Sequence, residues 1–125
     1  FMTTIELEIR DILIRLGVTA NYKGYNNITS ALILCADNPS LLQAVTKWLY
    51  PEVAKRCSTT WTAVERNIRT AIAVSWRCSP DYLEGLARRP ITKKPTGAQF
   101  LSILSNELIA RQTLKTIDTS LKIEK

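Results

Sequence analysis

Apolar residues recur every three or four positions along almost the whole chain, and turn signals separate them into helix-length segments. Ile5, Ile9, Ile12, Leu13 and Leu16 form one such stripe, and Gly17 stops it. Thr4 is the expected cap of this first helix, with Glu6 and Glu8 near its positive end. Val18 to Gly24 reads as a loop. A second helix is expected from about Tyr25 to Ala36, with Ile28, Leu32 and Cys35 on one side. Asn38 and Pro39 suit the start of a third, whose stripe is Leu41, Leu42, Val45, Trp48 and Leu49. Trp48 and Trp76 both fall on apolar stripes and are expected in the core. A short helix then runs from Tyr50 to about Arg56, a long one to about Trp76, and a short one over Tyr82 to Ala87. Thr96 caps the last, with Phe100, Leu101, Leu104 and Leu108 inward. No segment alternates apolar and polar residues as a half-buried strand does. The fold class is therefore all-α, a compact bundle of about six helices around one core.

The 125 residues match one domain. Residues 1–3 read as a disordered or added start, with Met2 the natural first residue and Phe1 an extra one. Residues 4–111 form the domain. Residues 112–125, with Leu114, Ile117 and Leu121, read as a C-terminal extension that is helical or frayed. No apolar run of about 18 residues is present, so no membrane partner is expected. The start lacks the pattern of a signal peptide, and the expected location is the cytoplasm. Cys35, Cys57 and Cys78 are widely spaced and read as reduced thiols. The sequence has no histidine, no C-x-x-C and no Gly-rich phosphate loop. No metal or other cofactor is expected, and an enzyme is not.

Charge carries the first functional signal. The formal net charge is +6, and residues 47–94 alone hold 10 basic and 4 acidic side chains. Residues 1–46 hold 3 and 4, and residues 95–125 hold 4 and 3. Cations clustered in this way suit a polyanion, because phosphate binding rewards local positive density.

That basic stretch contains the pattern of a helix-turn-helix, from Tyr50 to Trp76. The first helix turns Val53 inward and places the small Ala54 where two helices cross. Cys57-Ser58-Thr59 makes the turn. Thr60 is the expected cap of the second helix, although Thr62-Ala63-Val64-Glu65 also matches a capping box. At about 100° per residue, Val64, Ile68, Ala71, Ile72 and Ser75 share one face. Thr62, Glu65, Arg66, Arg69 and Ala73 share the opposite one. Arginine can bond guanine O6 and N7 together, and glutamate can accept from cytosine N4 or hold an arginine fork. The same face would also suit a solvated helix, with Glu65 and Arg69 an ordinary i,i+4 pair. Lys55, Arg56 and Thr60 are candidate phosphate contacts from the element that crosses the backbone.

Two runs here, Leu49-Tyr50-Pro51-Glu52-Val53-Ala54-Lys55-Arg56 and Val64-Glu65-Arg66-Asn67-Ile68-Arg69, are specific together. With Thr59-Thr60, Lys23-Gly24-Tyr25 and Thr92-Lys93-Lys94-Pro95-Thr96 they make the chain resemble a known family. It is the DNA-binding effector domain of the master sporulation response regulator of endospore-forming bacteria (stage zero sporulation protein A). The likeness spans about residues 4–111. It implies binding to double-stranded DNA at short promoter boxes, as a monomer in solution or a tandem dimer on DNA, together with an RNA polymerase sigma factor. It places base contacts on Thr62, Glu65, Arg66 and Arg69, and phosphate contacts on Lys93 and Lys94. Trp61 and Ala63 stand where the family has a small and a basic residue, and the segment after Arg111 has no counterpart. These departures motivate an alternative: a receiverless protein-interaction module acting on polymerase or the full-length regulator.

Overall fold

The computed structural model describes residues 2–123, and the side chains of residues 2–121. Phe1, Glu124 and Lys125, in the expected start and extension, lie outside the described residues. Among the described residues the chain forms six α-helices and no strand: α1 (Thr4–Arg15), α2 (Lys23–Asp37), α3 (Tyr50–Arg56), α4 (Trp61–Cys78), α5 (Pro80–Ala87) and α6 (Gly97–Ile123).

The cap of α1 is Thr3, one residue before the expected Thr4. Its hydroxyl accepts from the Glu6 amide, and the Glu6 carboxylate reaches back to the Thr3 amide at 3.3 Å. This reciprocal closure satisfies two of the free amides at the helix start. At the other end Gly17 adopts φ +88°, and Val18 donates to the Leu13 carbonyl at 2.8 Å.

α2 begins two residues earlier than its sequence signals, at Lys23. The cause is a tertiary contact. Gly24 packs against α4 so closely that a β-carbon there would lie 2.5 Å from the Asn67 carbonyl oxygen. Beside it the Asn67 side-chain amide donates to Asn27 Oδ1 at 3.0 Å. Apolar periodicity cannot anticipate a glycine used for approach.

The expected third helix is not α-helical. Pro39–Gln43 is a 3₁₀ turn, and Val45–Leu49 is a π turn that runs into α3. The Leu49 and Tyr50 amides bond five residues back, to Ala44 and Val45. This wider winding breaks the 3.6-residue period on which the stripe was counted. Val45 and Leu49 stay buried, but Trp48 turns outward and is 57% exposed. Trp48 is thus not a core residue, and Lys47 Nζ lies 5.5 Å from its ring centroid. Trp76 packs against the core as expected.

α4 is the central element, packed against α2, α3, α5 and α6. Val64, Ile68, Ala71 and Ile72 meet a core that includes Ile12, Leu13, Ile28, Leu32, Leu83, Phe100, Leu101 and Leu104. The last helix opens on Thr96, whose hydroxyl accepts from the Gln99 amide at 3.2 Å while Gln99 Oε1 accepts from the Thr96 amide at 3.0 Å. Its far end is tied to α1. Arg111 reaches Glu8 at 2.7 Å, Glu107 at 2.9 Å and Asp11 at 3.0 Å, and Lys115 also pairs with Glu8. Beyond that cluster Leu114, Ile117 and Leu121 are exposed.

Candidate nucleic-acid interface

The helix-turn-helix is built from α3, the turn at Cys57–Thr60, and α4. Cys57 and Thr59 donate to the Val53 and Ala54 carbonyls at 2.9 Å, and Ser58 takes φ +53° to reverse the chain. Val53 and Ala54 are buried. Of the two capping possibilities the structure selects Thr60: its Oγ1 accepts from the Ala63 amide at 3.2 Å and lies 3.1 Å from Thr62 Oγ1.

The two faces of α4 separate as its sequence requires. Val64, Ile68, Ala71, Ile72 and Ser75 are buried, and the Ser75 hydroxyl donates to the Ala71 carbonyl at 2.9 Å. Val74, outside the inner face that the spacing predicts, is buried as well. Thr62, Arg66 and Arg69 are exposed and Glu65 is half-buried. Arg69 Nη1 lies 3.5 Å from Glu65 Oε1, so one guanidinium is braced from within the helix. Arg66 makes no ion pair among the described residues.

Tertiary folding adds a second element to this face. The segment before α6 returns beside α4, leaving a cleft of about 460 Å³ lined by Glu65, Arg69, Thr46, Tyr50, Lys94 and Thr96, among others. Lys94 is thereby brought next to Glu65 and Arg69. Lys93 is exposed in the same segment but outside the cleft. Lys55 and Arg56 are exposed at the end of α3, with Lys55 3.4 Å from Glu52. Arg88, the residue that follows α5, pairs with Glu107 at 3.2 Å.

Tyr50 is the residue of this region that sequence reasoning missed. The local sequence marks it only as a helix opener, yet its side chain is 4% exposed and lines the cleft. Burial pushes its phenol pKa upward, and the nearby Glu65 carboxylate adds to the shift. Nothing in the local sequence signals this, because the cleft wall opposite Tyr50 comes from residues more than forty positions later.

The α-helical extension is fastened to α1 through Glu8, and so does not cover the exposed side chains of α4. A family model described as Sporulation initiation factor Spo0A C terminal matches residues 9–108. The chain belongs to this Spo0A C-terminal family. The match runs from within α1 to within α6 and includes the whole helix-turn-helix and the Lys93-Lys94 segment. The family is the DNA-binding effector domain of the sporulation regulator, and the all-helical architecture agrees with it. Residues 109–123 of α6 lie outside the matched span. No helix among the described residues is long and apolar enough to cross a membrane.

Proposed function

We propose that this Spo0A C-terminal domain is a sequence-specific transcription regulator that reads the major groove of promoter DNA with α4. Arg66 and Arg69 contact bases, Glu65 accepts from a base or fixes Arg69, and Thr62 assists near the helix start. Lys55, Arg56, Thr60, Lys93 and Lys94 hold phosphates and set the register. The domain acts in the cytoplasm, occupies adjacent boxes as a tandem pair, and works with a polymerase sigma factor. Residues 4–111 suffice for this reading, and residues 112–125 are an appendage to it.

One observation carries the reading. The side chains able to read bases share the solvent face of a helix whose other face is locked into the core, and two of them, Glu65 and Arg69, line one cleft with Lys94. A rigid reader flanked by a cation is what a groove bordered by phosphates requires.

The test is selection of bound sites from random duplex DNA, with affinity for the winning site measured at rising salt. A recurrent box and a steep inverse salt dependence are expected. An unselective pool would refute sequence reading. The exposed Leu114, Ile117 and Leu121 favour a second reading, a module that binds polymerase or the full-length regulator. Loss of any gel shift at low salt, with co-purification of a sigma factor, would establish it instead.

A further inference from the structure

Tyr50 presents an anomaly inside the cleft. Its side chain is almost wholly buried, yet among the described residues its hydroxyl has no hydrogen-bond partner. The hydroxyl is not sealed in, since Ser105 Oγ is the buried side-chain oxygen without a partner among the described residues. It is the one polar tip of a buried ring, and it opens into the cleft. The hydroxyl stands directly over the first residue of α6: a β-carbon on Gly97 would come within 2.2 Å of Tyr50 Oη. Glycine at that position lets the hydroxyl reach the helix start.

Three further features converge there. Thr96 caps the Gln99 amide, and the Phe100 amide bonds the Thr96 carbonyl, which leaves the Gly97 and Ala98 amides without a partner. Those two amides open a 27-residue helix, whose positive end favours an anion. Lys94 lines the same cleft, as do Gly97 and Ala98. Glu65 is the acidic group there, and Arg69 at 3.5 Å offsets it. The uncompensated charge is thus positive.

We infer that Tyr50, Lys94 and the first two amides of α6 form a cradle for one phosphoryl group, supplied by the DNA backbone strand that borders the groove read by α4. The inference rests on the DNA-binding reading and adds to it a hydroxyl and two backbone donors that carry no base information. It also accounts for an unpaired phenol in the free protein: the partner arrives with the DNA.

The test uses Tyr50→Phe, which keeps the ring and removes the hydroxyl. Its folded stability should equal or exceed that of the parent, because no bond is lost. Its affinity should fall about tenfold for specific and random DNA alike, the value of one hydrogen bond to a charged group. Single methylphosphonate replacements along both strands should reveal one position that weakens the parent but not Tyr50→Phe. The Gly97 and Ala98 amide resonances of the unmutated protein should shift when DNA is added. If the parent binds DNA but Tyr50→Phe binds as well as it does and no methylphosphonate position couples to it, the cradle is wrong and the DNA reading stands. If the parent binds no DNA while inorganic phosphate shifts both amides, and Tyr50→Phe abolishes that shift, the source is free phosphate and the DNA reading falls. If neither DNA nor phosphate has any effect, both are overturned.

Discussion

The Asn67 amide donates to Asn27 Oδ1 at 3.0 Å, and this bond joins the flank of α4 to α2. Asn27 is buried, so the contact is shielded from water. One turn before it, Gly24 sits against the Asn67 backbone. The orientation of Arg66 and Arg69 therefore depends on two residues of another helix. Gly24→Ala should push α2 from α4, since the new methyl meets a backbone oxygen that cannot rotate away. A cost of about 1–3 kcal/mol is expected, with weaker binding to all DNA. Urea denaturation and a binding titration on the same variant check both.

Arg66 and Arg69 should respond differently to loss of Glu65. Arg66→Ala is expected to cost about 1–3 kcal/mol of binding and to relax selection at one base pair. Glu65→Ala unbraces Arg69 alone, and should broaden selection at the Arg69 position while leaving the Arg66 position unchanged. Lys94→Ala should weaken binding to every sequence alike and flatten the salt slope by about one unit. Site selection with each variant distinguishes these outcomes.

The ties between α6 and α1 are acid-sensitive. Hydrogen bonds from Lys115 and Arg111 hold the Glu8 carboxyl below its ordinary value of 4.5. Arg15 and then Arg111 do the same for Asp11 below 3.8. Burial alone would lower the Arg111 pKa, but its bonds to Glu8, Glu107 and Asp11 prevail and raise it. Carboxylates depressed on folding contribute fully above their unfolded pKa, and lose that contribution as pH falls through the folded one. Melting temperature should therefore hold between about pH 7 and pH 5 and drop below about pH 4. Glu8→Gln should lose about 1 kcal/mol at neutral pH and flatten the acid limb.

Trp48 gives the clearest test of the break in helical period before α3. Placed in a core, its truncation to alanine would cost about 3–5 kcal/mol. Exposed as it is, with Lys47 over its ring, Trp48→Ala should change stability by about 0.5 kcal/mol or less. Its fluorescence should be quenched readily by acrylamide, unlike that of Trp76.

The inner and outer faces of α4 were legible in the sequence because a helix maps residue number onto angle, and apolar spacing alone fixes which side is buried. The same rule placed the helix-turn-helix and the last helix. It failed at Trp48, where 3₁₀ and π winding changed the angle per residue. It was silent on Gly24 and Tyr50, whose roles come from partners distant in the chain.

By itself, then, the sequence determined the helical class, the helix-turn-helix and which side of α4 faces solvent, all consequences of local periodicity. Only the tertiary structure decided what stands beside that face. Lys94, Thr96 and Gly97 reach Glu65, Arg69 and Tyr50 because α6 returns across the bundle, a long-range packing outcome with no local signature.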